Sequence, residues 1–300
     1  MFIDNKGDPT LGAQELKAIA DAENSPLSKP SSCISSGLES DLANLHLRDN
    51  SDSSFFSIHT SGSQKGMGTF ASRTFQRGDL ILYERPVFCV PTDPAYTSQA
   101  ELESIRCIQI EAAVRDLSPA HLDSYLSLQN SHNKCSCFRG HGLLGIFGTN
   151  AFNVTEHDSG ICLRASRFNH SCSPNAWYSF SNTGEIRIYA SGTIPRGEEI
   201  SFSYIPCRPL FGSPRLSRQT NLRSRYHFTC ACSICSLPEA ESRRSDVRRQ
   251  RVNELWEIIR HFTPTQEQQC FNVVVEAMRL LREEGFLDGV DRFLNEAGPI

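Results

Sequence analysis

Three cysteines fall within six residues, Cys230, Cys232 and Cys235, at the spacing C-x-C-x2-C. Thiolates this dense suit a tetrahedral zinc ion, which takes four nitrogen or sulfur ligands, so a fourth must come from elsewhere in the chain. The plainer alternative is a set of reduced, buried thiols. A second polar stretch runs Arg167-Phe168-Asn169-His170-Ser171-Cys172-Ser173-Pro174-Asn175. Its chemistry reads three ways. Ser-Pro-Asn makes a turn whose side chains satisfy local backbone groups. His170 and Cys172 are the residue types of a base and a nucleophile, although such partners usually come from distant parts of a chain. Cys172 is also the type of a buried structural thiol. A third stretch, Gly197-Glu198-Glu199-Ile200-Ser201-Phe202-Ser203-Tyr204, ends on a phenol. A tyrosine in a strand is common and by itself implies no catalysis.

These residues need a scaffold, and 300 residues with 39% hydrophobic content can supply a sizeable core. The net charge of −4 argues against a whole-protein electrostatic grip on nucleic acid. No run approaches the roughly 18 apolar residues of a membrane-spanning helix. The start, MFIDNKGDPTLGAQELK, lacks the basic-then-apolar pattern of a secretory signal. The expectation is a nuclear or cytoplasmic, reducing location, where the 12 cysteines read as metal ligands or thiols rather than as disulfides.

Residues 1–54 carry one aromatic, Phe2, and are rich in serine, so they are expected to be poorly ordered, with at most a short helix over Asp8–Ala22. From Phe55 the pattern turns to strands. Phe55–Ile58, Thr69–Ala71 and Leu80–Glu84 are strands, separated by turns at Gly66-Met67-Gly68 and Arg77-Gly78-Asp79, with Pro86–Val90 extended. Leu102, Ile105, Cys107, Ile108, Ala112 and Val114 predict an amphipathic helix, and Ser118-Pro119 starts another. Gly142–Asn153 reads as a helix leading into a loop. Ala176–Phe180 and Glu185–Ala190 bracket a turn and predict a hairpin, and Ile200–Tyr204 alternates as a strand. Val252, Leu255, Trp256, Ile259 and Phe262 predict one helix. Phe271, Val274, Val275, Met278 and Leu281 predict a second, opened by Thr263-Pro264-Thr265-Gln266 and ended by Gly285. Arg243, Arg244, Arg248, Arg249 and Arg251 lie on the first of these. They are read as a solvated face, with contact to nucleic acid or an acidic neighbour as the rival.

The nonapeptide resembles the Asn-His-Ser-Cys-x-Pro-Asn signature of SET-domain protein-lysine methyltransferases. Gly197–Tyr204 resembles their Gly-Glu-Glu-x-x-x-x-Tyr motif, Cys230–Cys235 their post-SET cysteines, and Lys65–Gly68 with Arg77–Asp79 the opening of the domain. Four motifs in order are more specific than one. The resemblance spans about Phe55 to Cys235 and is nearest the SET-and-MYND subfamily, in which a helical insert splits the domain. The dense Cys/His series of a MYND zinc finger is missing, since the corresponding region offers only Cys89, Cys107, Cys135, Cys137 and a few histidines.

The resemblance implies a mixed β and α fold: small sheets with a pseudoknot, a helical insert, a zinc-binding post-SET segment and C-terminal helices. The implied divisions are a SET domain over 55–207 with its insert near 98–147, a zinc segment over 208–237 and a helical region over 238–300. It further implies S-adenosylmethionine and zinc as cofactors. By resemblance Lys65, Gly66, Met67, Gly68, Asn150, Ser166, Phe168, Asn169, His170, Tyr204 and Phe228 bind the methyl donor. Phe152, Tyr204 and Tyr226 line the lysine channel, and Tyr204 is the catalytic residue. Cys172 joins Cys230, Cys232 and Cys235 on zinc, with Cys162 and Cys207 as rivals. The expected partner is a protein bearing a lysine, histone or not, with neither membrane nor direct nucleic-acid binding expected. Two other functions compete: a catalytically silent SET module that serves as a binding platform, and a hydrolase using Cys172.

Overall fold

The computed structural model describes residues 55–62, 65–92, 98–132, 142–205, 212–262, 266–287, 289 and 293. The expectations for 1–54, for Cys135, Cys137 and Cys207, for the opening Thr263–Thr265 and for the boundary at 207/208 lie outside these residues. Among the described residues no helix is long and apolar enough to cross a membrane.

Among the described residues ten strands form three small sheets. The first has the order β1 (Phe56–Thr60), β2 (Met67–Ala71), β10 (Glu199–Phe202), β7 (Asn169–His170). The second is β3 (Leu80–Glu84), β9 (Ile186–Ala190), β8 (Ala176–Phe180). The third is β4 (Phe88–Pro91), β6 (Asp158–Ile161), β5 (Phe152–Asn153). All pairs are antiparallel except β7 with β10. Period-two burial explains the hairpin: Ile186, Ile188 and Ala190 are buried, while Arg187 and Tyr189 are only partly so. Gly78 takes the left-handed φ of +85° that its turn requires.

Two sequence expectations shift. Met67 and Gly68 belong to strand β2, and the preceding turn closes earlier, with Ser61 N–H donating to Gly66 O. The glycine with φ of +70° is Gly66 alone. The insert helix α1 (Gln99–Arg115) forms behind its Ser98 cap, but its buried face is Ile110 and Val114, with Ala113 partly buried beside them. Ile108 points outward at 67% exposure, and Ala112 is exposed as well. Hydrophobic spacing on this helix fits two faces, and docking on α3 (Gly142–Asn150), β4 and β6 selects the one carrying Ile110. Helix α2 (Pro119–Leu126) is capped by Ser118, whose Oγ accepts from His121 N–H.

After the sheets come α4 (Arg215–Tyr226), α5 (Glu239–Ile259) and α6 (Glu267–Glu283). The last two form the expected hairpin around Leu255, Trp256, Val274 and Leu281. Gly285 ends α6 in a left-handed conformation, with Gly285 N–H donating to Arg282 O and Phe286 N–H to Leu281 O. The basic run is a solvated face only in part: Arg243 and Arg244 are exposed. Arg249 is fully buried, and Arg248 and Arg251 pair with Glu284 and Glu276 of the partner hairpin arm.

One buried acid fixes the entry to the signature. Glu84 accepts from Arg164 N–H and Ala165 N–H, each at 2.9 Å, at the start of a 3-10 turn over Ala165–Arg167. Burial pushes its carboxyl up, and these two donors oppose that. Glu84→Ala leaves two buried N–H groups unsatisfied. It is expected to destabilise the fold by roughly 2 kcal/mol in a denaturant titration, and an unchanged midpoint would contradict this role.

Candidate functional site

The signature is pinned to β10 at both ends. Asn169 and His170 pair in parallel register with Ser201 and Phe202. Asn175 Oδ1 accepts from Ser201 N–H at 2.8 Å, and its Nδ2 donates to Glu199 O at 2.9 Å. The segment thus lies across a strand that comes about thirty residues later, the crossed arrangement the resemblance implies. His170 is the hinge of this crossing. Its Nδ1 accepts from Tyr204 N–H at 3.0 Å. The proton therefore sits on Nε2, which faces Cys172 Sγ at 3.2 Å. Burial holds this imidazole down to about 4, so the ring is neutral. A histidine already protonated toward Cys172 cannot act as its base, and Cys172 is only 4% exposed. The hydrolase reading fails on both counts.

A cavity of about 1340 Å³ opens between the signature, the insert and the segment after α4. Lys65, Gly66 and Met67 border it from the opening segment. Ser166, Phe168, Asn169 and His170 border it from the signature. Asn150, Phe152, Tyr204, Tyr226 and Phe228 border it as well. Gly68 stands behind the wall. A Cβ there would come within 2.7 Å of Glu199 Oε1 and 2.9 Å of Asn169 Nδ2. Gly68→Ala is therefore expected to displace Asn169 and destabilise the fold by about 1–3 kcal/mol in a denaturant titration; an unchanged midpoint would show that the wall tolerates the methyl group.

Asn169 is held by Glu199. Its Nδ2 donates to Glu199 Oε1 at 2.7 Å and to Met67 O at 3.2 Å. Ser61 Oγ and Lys65 Nζ also donate to this carboxylate. Burial raises Glu199, but the donors and the Lys65 charge outweigh it and hold the group below its ordinary value. Asn150 uses its amide internally, donating to Gln129 O and Ile146 O at 2.7 Å each. Ser166 Oγ donates to Cys162 O at 2.7 Å. These two residues frame the cavity more than they reach into it.

The aromatic wall is continuous. Tyr204 lies 5.1 Å from Tyr226, 5.7 Å from Phe202 and 6.4 Å from Phe228 between ring centroids. Phe152 lies 5.4 Å from Tyr178, which is 5.0 Å from Phe202. Tyr178 and Phe202 escaped the sequence reading, although the period-two pattern of β8 puts Tyr178 on one face with Ala176 and Phe180. The Tyr204 hydroxyl donates to Phe168 O at 2.7 Å. Burial, with Tyr226 and Glu199 adding, pushes this phenol far above its ordinary value. At the rim His227, at φ of +57° after α4, places Nε2 3.1 Å from Nδ1 of His132 in the insert. No motif pointed to that pair.

Cys172, Cys230, Cys232 and Cys235 converge, their sulfurs all within 4.8 Å of one another. Cys172 Sγ is 3.6 Å from Cys235 Sγ and 4.0 Å from Cys230 Sγ. Four sulfurs at about 2.3 Å from a tetrahedral ion stand about 3.8 Å apart, so the set is able to hold a metal ion. Cys172 N–H points at Cys232 Sγ at 3.4 Å. Mutual contact holds Cys232 and Cys235 below the ordinary thiol value and Cys172 and Cys230 above it. The rival Cys162 lies in the central core instead.

A family model described as SET domain matches residues 66–205. Over 220 residues the chain is 28% identical to the "Histone-lysine N-methyltransferase set5" of Schizosaccharomyces pombe, which covers 73% of this chain and 60% of that one. It is 33% identical over 169 residues to the "Protein-lysine N-methyltransferase SMYD4" of Homo sapiens, covering 51% and 20%. It is 45% identical over 78 residues to the "Protein-lysine N-trimethyltransferase SMYD5" of Danio rerio, covering 26% and 19%. The chain thus spans less than two thirds of each of these relatives. The crossed signature and much of the cavity lining fall inside the matched segment, and residues 66–205 are a SET domain.

Proposed function

We propose that this protein is an S-adenosylmethionine-dependent protein-lysine N-methyltransferase with a zinc ion on its four clustered cysteines. The observation that carries the reading is Tyr204. Its hydroxyl is fixed by the Phe168 carbonyl inside an aromatic cavity that also holds the signature. The names of the relatives support methyl transfer to protein lysine.

The cavity suits the donor. Gly66 in a left-handed turn and the unsubstituted Gly68 let backbone and Asn169 approach closely. Lys65 offers a cation, and Met67 O and Asn169 Oδ1 offer acceptors, to an amino-acid moiety, with Ser166, Phe168, His170 and Phe228 around the remainder. When bound, S-adenosylmethionine supplies an electrophilic methyl group on a sulfonium. The chain must deliver a neutral amine, although free lysine has a pKa of about 10.4. Phe152, Tyr178, Phe202 and Tyr226 form a wall that disfavours the ammonium. The Tyr204 hydroxyl directs its hydrogen at Phe168 O, so its oxygen lone pairs are left to accept an amine N–H and aim the nitrogen lone pair. A phenol held so far above its usual value does not take the proton, which leaves to water. Alignment in a dry site supplies the acceleration. The four cysteines, if they hold zinc, tie the wall residues Tyr226 and Phe228 to the signature. The substrate is a lysine-bearing protein in the nucleus or cytoplasm.

The test is radiolabelled methyl transfer to a histone panel and to cell lysate, with mass spectrometry of labelled sites. Transfer to lysine supports the reading. Donor binding without any transfer would make the protein a silent SET module, and no donor binding would overturn both.

A further inference from the structure

Two arginines beside the cysteine cluster are almost wholly buried, Arg218 of α4 at 1% exposure and Arg249 of α5 at 0%. Burying a guanidinium is costly unless charge and hydrogen bonds compensate it. Arg249 is compensated in full view. Its Nε donates to Glu284 Oε2 at 2.6 Å and its Nη2 to Cys172 O at 2.9 Å. Glu284 is fully buried and also takes Arg248 and the Ser245 hydroxyl. Arg218 is different. Its Nη1 donates to Ser213 O and lies 3.3 Å from Asp246 Oδ1, a carboxylate that is partly exposed. Its Nε and Nη2 are buried and meet no conventional acceptor among the described residues. Leu222, one turn along α4 from Arg218, packs into the small core that holds all four cysteines, so this face of the helix borders the cluster.

A neutral thiol is a weak acceptor, whereas a metal-bound thiolate is anionic and accepts well. Four thiolates on a divalent ion leave two negative charges in a buried place. Arg218, Arg248 and Arg249 bring three positive charges to the same place from two helices, against the carboxylates of Glu284 and the partly exposed Asp246, which leaves a net positive charge beside the sulfurs.

We propose that Arg218 and Arg249 are positioning residues of the metal centre, which offset part of the charge of a buried tetrathiolate, and that Arg218 donates its two unanswered N–H groups to the cluster sulfurs. The inference rests on the zinc reading of the four cysteines. It makes α4 and α5 part of the metal centre, beyond the three-cysteine loop and the signature.

Metal analysis of the full chain comes first. Absence of bound zinc from wild type would overturn the zinc reading itself. With one zinc per chain, Arg218→Met is expected to lose it to a chelator at about ten- to a hundredfold lower competing affinity, and Arg218→Lys to stay near wild type. In the cobalt(II)-substituted protein, the thiolate-to-metal charge-transfer band should shift in Arg218→Met and much less in Arg218→Lys. A purely structural arginine would lower thermal stability without moving that band or the chelator competition, and this result overturns the proposal. Should Arg218→Met not fold, Arg218→Gln against Arg218→Lys decides it: equal metal retention by the two also overturns the proposal.

Discussion

Tyr204→Phe is expected to cut methyl transfer by about a hundredfold or more, the usual cost of removing one pre-aimed hydrogen-bonding group from a dry site. Affinity for the donor should stay within about twofold, because the ring remains against Tyr226 and Phe228 and only the hydroxyl goes. Single-turnover kinetics and a calorimetric titration separate the two effects. The loss should fall on kcat, since the phenol acts on the aligned amine. Equal losses in binding and turnover would point to a structural role through Phe168 O instead. The pH profile adds a second check. The substrate amine must be neutral, so the rate should rise with pH. Because the Tyr204 phenol is held well above its ordinary value, its ionisation should add no descending limb below about pH 10. A descending limb in that range that disappears in Tyr204→Phe would show that the phenol titrates normally.

Cys172→Ser is expected to have the other large effect. A serine hydroxyl is a poor substitute for a thiolate, and zinc affinity should fall by about a hundredfold or more. The consequence reaches beyond the metal. Cys172, Cys230, Cys232 and Cys235 form one small core with Ile205 and Leu222, against which Tyr204, Tyr226 and Phe228 pack. Without the ion, the crowded sulfurs lose the cation between them, and the Tyr226–Phe228 wall loses its anchor. Thermal unfolding should begin at lower temperature, and donor affinity should weaken together with metal content. Chelation of wild type should reproduce both changes. Full zinc retention by Cys172→Ser would remove Cys172 from the ligand set and move the search to another residue.

Some of this was written in local pattern. The hairpin of β8 and β9 follows from alternation at Ile186 and Ile188, because a strand has a strict period of two and one buried face. Ser98, Ser118 and Gly285 mark helix ends, because capping depends only on neighbouring backbone groups. The three-cysteine spacing likewise announces a metal site through residues near each other in the chain. The order of motifs carried the family, and with it Cys172 and Tyr204.

What the sequence could not express were relations between distant residues. Ile108 and Ile110 are equally apolar, and only docking against α3, β4 and β6 decided which was buried. Gly68 looked like a turn glycine, yet its need for a bare Cα comes from Ser61, Glu199 and Asn169, which approach it in space. Arg249 belonged to a run with every mark of a solvated face. Burial, Glu284 and the Cys172 carbonyl turned it inward, 77 residues from the carbonyl it holds. The sequence by itself determined which residues are able to ligate, cap or alternate, because those properties are local. The tertiary structure alone decided which charges are buried, since burial depends on what else the fold brings to the same place. For this protein that place is the junction of the signature, the cysteine loop and the two helices that follow.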